Sequence, residues 1–322
     1  MDFPWGNRRR FNSWADQCRQ MYGSRLQRVS IHAGFSCPNR DGTIGLGGCA
    51  FCNNEAFSPS YCQTGLSVTA QIDRGLAFLK KRYKNPEIFL AYFQAYTNTH
   101  ASLDNLKALY GEALSHPEIR GLAIGTRPDC IDEEKLDYFA ALSRDRFISI
   151  EYGIESCHNA TLERVNRGHT FEDSVRAIEM TASKGLHTGA HLIFGLPGET
   201  REQMLSQAKT LSALPLNSLK FHQLQIVRDT PMADEYKGYP EHFQLFSLES
   251  YVEFIVSFIE RLRPDISLER LSGEVPPPFQ VSPGWGKVRS DHIISMIEAK
   301  LEEKDTWQGK LWGKQAVEIG HT

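Results

Sequence analysis

Residues 29–52 read VSIHAGFSCPNRDGTIGLGGCAFC, and three cysteines, Cys37, Cys49 and Cys52, fall within the last sixteen positions. The opening run Val29–Phe35 is apolar and β-branched and predicts a strand. It leads into a loop with glycines at 42, 45, 47 and 48. Glycine tolerates positive φ and lets backbone approach a bulky group that side chains would obstruct. A glycine-rich loop at the C-terminal end of a strand is where α/β barrels place their chemistry, so this one stretch bears on both fold and site.

Downstream, strand-like runs recur at Ile88–Gln94, Gly121–Thr126, Phe147–Gly153, His187–Gly195 and Ser218–Val227. Helical patterns separate them at Val68–Tyr83, Leu103–Ser115, Asp132–Ser143, Phe171–Lys184 and Thr200–Ala213. Strands alternating with helices imply parallel pairing through right-handed crossovers. Six such strands predict an α/β fold, either an incomplete (β/α)6 barrel or a doubly wound sheet. Asp132 is placed to cap the helix that follows it, and Gly185 to end the one before it. The expected organisation is an N-terminal helical extension (1–28), a partial barrel (29–235) and a C-terminal extension packing on it (236–322). That extension carries a helical run Leu248–Leu262, a strand-like run Ser267–Gly273, a break at Pro276–Pro278 and a last helix near Asp291–Glu303.

The chain has 322 residues, 41% hydrophobic and 23% charged, enough to bury a sizeable core. A net charge of -3 gives no global attraction to nucleic acid or anionic membrane. Local basic clusters stand at Arg8–Arg10 and at Lys80, Lys81, Arg82 and Lys84. No signal-peptide pattern opens the chain, and no apolar run approaches the ~18 residues of a membrane span. A cytoplasmic protein is expected, and in a reducing compartment seven cysteines, three of them clustered, favour metal binding over disulfides.

Cys49 and Cys52 form a C-x2-C pair, which is also half of a zinc-ribbon signature. Structural zinc takes four protein ligands, yet no second pair follows; Cys62 is the remaining candidate. Three thiolates on a 4Fe-4S cube leave one iron open, whereas clusters that only carry electrons take four cysteines. An open iron implies a small-molecule ligand and catalysis.

With these residues in view, the run GFSCPNRDGTIGLGGCAFC resembles the YhcC/YtqA type of radical S-adenosylmethionine (SAM) proteins, a family similar to the radical domain of the Elongator catalytic subunit. AYFQAYTNT, GTRPDC, VNRGH and HLIFGLPGE extend the likeness over most of the chain. The spacing C-x11-C-x2-C departs from the common C-x3-C-x2-C and is similar to the widened Elongator form. The resemblance implies an incomplete TIM-like barrel, a 4Fe-4S cluster on Cys37, Cys49 and Cys52, and reductive cleavage of SAM to a 5'-deoxyadenosyl radical. It also implies a reductant protein such as flavodoxin or ferredoxin.

By the same resemblance Gln94 and Thr97 would hold the amino end of SAM, and Glu151 its ribose hydroxyls. Arg167 would take the SAM carboxylate, and Gly195 would admit the adenine. Read from the residues alone, Glu151 is a barrel-interior carboxylate that needs an ion-pair partner, Arg127 or Arg164. Arg167 is equally a surface arginine at a helix end, and His222, Gln223 and Gln225 serve SAM, substrate or core. Elongator-like enzymes act on the wobble uridine of transfer RNA, which makes tRNA the leading substrate, with the basic clusters as phosphate contacts. A small metabolite in a pocket lined by Trp285, Tyr96 and Phe279 is the alternative, as is a non-catalytic iron-sulfur or zinc protein.

Overall fold

Branched and aromatic runs that cannot face water form the strands, and the amphipathic runs between them cover the outside. In the computed structural model, which describes residues 2–83, 87–282, 284–286 and 288–313, the order begins α1 (Trp14–Tyr22), β1 (Leu26–Ile31), α2 (Val68–Arg82), β2 (Ile88–Phe93). It continues α3 (Leu103–Ser115), β3 (Ile119–Thr126), α4 (Glu133–Leu142), β4 (Phe147–Glu155), α5 (Asn159–Arg164), α6 (Phe171–Ser183), β5 (His187–Phe194) and α7 (Arg201–Ser212). The chain then forms β6 (Ser218–Gln223), α8 (Pro231–Gly238), α9 (Leu248–Ile259), β7 (Ser267–Arg270) and α10 (Ser290–Glu303).

All seven strands are parallel and lie in chain order, β1 to β7. That unreversed order removes the doubly wound alternative and makes a curled half-barrel. Ile31, Phe93, Ile124 and Ile150 sit opposite one another across β1–β4 and carry the core from strand to strand. The sheet curls until its unpaired edges meet inside: Arg28 of β1 ion-pairs with Glu269 of β7.

Three expectations are corrected. The sheet has seven strands rather than six, because the strand-like run expected at Ser267–Gly273 forms β7 over Ser267–Arg270 and pairs its Ser267 and Leu268 with Ser218 and Leu219. Strand β1 ends at Ile31 rather than Phe35, because β2 offers no partner beyond Phe93. The buried Gln71 side chain takes over instead, bonding the His32 N–H (2.9 Å) and C=O (3.0 Å). Strand β6 stops at Gln223, after which Val227 bridges to Gln280.

Caps stand where the sequence placed them: Asp132 accepts the Lys135 N–H, and Gly185 has φ +72°. The two extensions meet on the β7 edge. Leu268 donates to the Asn12 carbonyl, Asn12 donates to the fully buried Gln308 side chain, and Gln308 donates to the Arg10 carbonyl. Arg9 pairs with Asp16 and Glu298, so these basic residues staple the extensions together.

Strand β3 approaches β4 so closely that a Cβ on Gly121 would lie 2.0 Å from the Phe147 carbonyl oxygen. Gly121→Ala is therefore expected to lose about 3 kcal/mol, the upper range for overpacking. The urea midpoint checks this; an unchanged midpoint would mean that the strands part freely.

Candidate cofactor site

Beyond Ile31 the chain folds back on itself as the cysteine loop. Cys37 O accepts the Arg40 and Asp41 N–H groups, and Gly48 N donates to Asn39 O. Gly47 and Gly48 take φ +81° and +85°, a conformation that side chains oppose, and a Cβ on Gly48 would strike Arg40. The loop is pinned to the VNRGH segment: Asn39 donates to Asn166 O (2.6 Å), Asn166 to Gly48 O (2.8 Å), and Ala50 N to Val165 O (2.9 Å).

Cys37, Cys49 and Cys52 thereby line one cavity of about 230 Å³ at the C-terminal ends of the strands. Gln94, Thr97, Glu151 and Arg167 line it too, and Gly195 does not. Gly195 takes φ +93° beside Phe246 and Leu224, so an adenine contact there has no support from the cavity wall. Among the described residues, no three Cys, His, Asp or Glu side chains are gathered tightly enough for one metal ion. A zinc ion, with Zn–S bonds of about 2.3 Å, needs such gathering; a larger cluster does not.

The other thiols stand apart. Cys62 donates to Ser30 O (3.0 Å) and is not among the residues lining the cavity. Burial pushes both Cys62 and Cys130 up to about 12, which keeps them protonated. Burial also raises Cys52, and Cys49 beside it adds to this, but Arg40 and Arg167 pull the other way.

Arg167 is buried, not a surface residue. Its Nη1 lies 3.4 Å from the Cys49 sulfur, Nη2 donates to Gly153 O (2.6 Å), and Glu155 stands 3.4 Å away. Burial disfavours its charge, yet Cys49 and Glu155 outweigh this and hold the guanidinium protonated. Nη1 and Nη2 are thus directed at Cys49, Gly153 and Glu155, contacts with which a bidentate SAM carboxylate would compete, while the buried Nε–H has no partner among the described residues. A Cβ at Gly153 would lie 2.5 Å from Glu155 Oε1 and 2.7 Å from Arg167 Nη2, so any side chain there would displace this ion pair.

The ion-pair partners expected of Glu151 are corrected. Neither expected partner reaches it: Arg127 forms a fork with Asp129, and Arg164 pairs with Glu235. Its oxygens are closed instead on Arg28 (2.6 Å), Lys220 and His191 (3.1 Å), at zero exposure. Glu269 joins through Arg28 and Lys220. Burial opposes ionisation of Glu151, but Arg28 and Lys220 hold its carboxyl well below the usual range. The sequence pattern carried no sign of this cluster, whose members lie on β1, β4, β6 and β7.

Trp285, Tyr96 and Phe279 do not share a pocket. Tyr96 lines the cysteine cavity, Trp285 lines a separate cavity of about 460 Å³, and Phe279 packs against Val227 and Val275. Gln223 is engaged by both backbone groups of Gly273, whereas Gln225 is half-exposed on the second cavity. Lys84 lies outside the described residues, and no helix among the described residues is long and apolar enough to cross a membrane.

The Radical SAM superfamily model matches residues 37–211, and the Radical_SAM C-terminal domain model matches 216–303. The chain is 34% identical to protein YhcC of Escherichia coli over 288 residues, 88% of this chain and 90% of that protein. It is 25% identical to tRNA uridine(34) acetyltransferase of Methanocaldococcus infernus over 187 residues, 57% of this chain and 33% of that protein. Its fold is similar to that of archaeal Methanocaldococcus infernus Elp3 lacking the N-terminus, with TM-score 0.67 and 17% identity over 91% of this chain and 68% of the other. The chain belongs to the radical SAM superfamily, and its cofactors are those of that family, a 4Fe-4S cluster and SAM. The donor set fits: three thiols on one cavity leave one iron of such a cluster open to SAM.

Proposed function

We propose that this chain reductively cleaves SAM and uses the resulting radical on a wobble uridine of transfer RNA in the cytoplasm. The observation that carries the first part is the convergence of Cys37, Cys49 and Cys52 on one cavity, with Arg167 donating to the Cys49 sulfur. When bound there, the cluster and SAM supply an electron and a 5'-deoxyadenosyl radical able to abstract hydrogen from an unreactive position. The residues of the chain hold, orient and shield. Arg167 offsets the charge of the Cys49 thiolate and offers its Nε–H. Thr97 and Gln94 serve the amino end of SAM; the Gln94 amide N–H bonds Phe57 O, which turns its oxygen free. Phe51, Phe57, Tyr92 and Tyr96 give the cavity an aromatic wall. Glu151 serves the barrel interior, neutralising Arg28 and Lys220, rather than the ribose.

The electron comes from a separate reductant protein such as flavodoxin or ferredoxin. Ile44 and Leu46, exposed at the tip of the cysteine loop, favour docking there. The tRNA part is supported by the relative named for uridine 34 and by the exposed cations Lys81 and Arg82, with Arg8 in a loose 3.9 Å surface pair to Asp2. Arg9, Arg10 and Lys80 are spent on internal ion pairs and are not counted. Mass spectrometry of tRNA nucleosides from cells with and without the gene tests it. One modified uridine should vanish and its precursor accumulate; an unchanged profile would favour a small metabolite, for which the cavity beside Trp285 offers about 460 Å³.

A further inference from the structure

The cysteine cavity has a second end, built by β5, β6 and β7. His191, Lys220 and Arg270 stand in register across these strands, and His222 lies two residues beyond Lys220. His191, His222 and Arg270 all line the cavity.

The charges there do not balance. Arg28 and Lys220 are matched by Glu151 and Glu269, which leaves the cluster of four neutral as a whole. Arg270 is exposed and has no carboxylate partner or hydrogen bond among the described residues. His222 also has no hydrogen-bond partner among the described residues. Its ring is accommodated because residue 273 is glycine, where a Cβ would lie 2.6 Å from Nδ1. Burial and the neighbouring Arg270 keep His222 neutral, and burial with Lys220 does the same for His191. His191 already gives its Nε2 to Glu151 (3.1 Å), so the wall presents one uncompensated guanidinium, Arg270, beside a neutral His222 that still has an N–H to donate.

We propose that Arg270, with His222 and His191 beside it, forms a subsite for an anionic group of the substrate, a carboxylate or a phosphate, facing the cysteines across the cavity. Arg270 provides the charge and a planar fork, and His222 adds an N–H that orients the bound oxygens. A substrate held there has its neighbouring atoms directed into the cavity that the cysteines line. The inference rests on the proposed use of that cavity for radical chemistry.

The test uses the full chain loaded with cluster and SAM, with acetate or inorganic phosphate titrated at constant ionic strength. Saturation-transfer NMR reads acetate, and phosphorus line broadening reads phosphate. The wild type should bind one of the two saturably, which identifies the group. Arg270→Gln should weaken that binding at least tenfold and Arg270→Lys less. Gly273→Ala, which displaces the His222 ring while Arg270 stays, should weaken it several-fold. Equal affinity in Arg270→Gln, or no saturable binding of either anion by the wild type, would overturn the subsite. Formation of 5'-deoxyadenosine by the wild type, measured in parallel, reports on the cofactor reading separately: its absence would sink that reading, while the anion titration still decides the subsite.

Discussion

Cys49→Ser, reconstituted with iron and sulfide under argon, is expected to fall from about four irons per chain to less than one, and to lose the visible absorbance of an iron–sulfur cluster. Cys49 is buried, its sulfur takes an N–H from Arg167, and Asn39 also points at it (3.8 Å). A serine hydroxyl is far less readily ionised than a thiol and is a poor ligand for iron. Cys62→Ser is the matched control, because that thiol bonds Ser30 O away from the cavity and should keep full iron content. Iron and sulfide assays check both. Full loading of Cys49→Ser, or loss of loading in Cys62→Ser, would reassign the ligand set.

The second large effect concerns stability. Glu151→Gln leaves Arg28 and Lys220 with one carboxylate between them in a site that excludes water, and is expected to cost about 3–5 kcal/mol. The double variant with Lys220→Met removes the orphaned charge and should recover part of the loss, since contacting residues do not add. The folded pKa of Glu151 lies below its unfolded value, so its contribution is present above about pH 4.3 and is lost as pH falls through the folded value. His191 and His222 are held neutral when folded and take protons on unfolding, so acid loss already begins below about pH 6.5. Urea midpoints from pH 7 downward should therefore decline in two stages, with the lower one flattened in Glu151→Gln. A midpoint for Glu151→Gln equal to wild type would mean that water reaches the cluster.

Much of this was legible in residue order. Alternation of apolar runs with amphipathic ones located the strands to within a few residues, because each must bury one face whatever surrounds it. The cysteine set was legible for a chemical reason: thiols at that spacing within a glycine-rich loop have few other uses. What was not legible depends on curl. Arg28 and Glu269 are separated by 241 positions and meet only when the sheet brings β1 towards β7. Glu151 therefore reads as a carboxylate in want of a ligand or of an arginine from a neighbouring motif, Arg127 or Arg164. Arg167 lines the cysteine cavity, but the direction of its fork is not legible in the sequence. The fork turns to Cys49 and Gly153 because Asn39 and Asn166 draw the two loops together. Strand β1 was read too long for a similar reason: Gln71 imitates a strand partner at His32, and no local pattern distinguishes that from pairing.

If Cys37, Cys49 and Cys52 hold a cluster that acts on SAM, the loaded chain must cleave it. The most direct measurement is 5'-deoxyadenosine formed by the anaerobically reconstituted wild-type chain with SAM and dithionite. The account predicts 5'-deoxyadenosine and methionine in equal amounts, dependent on reductant and on the cluster. A fully loaded cluster that yields no 5'-deoxyadenosine would contradict it.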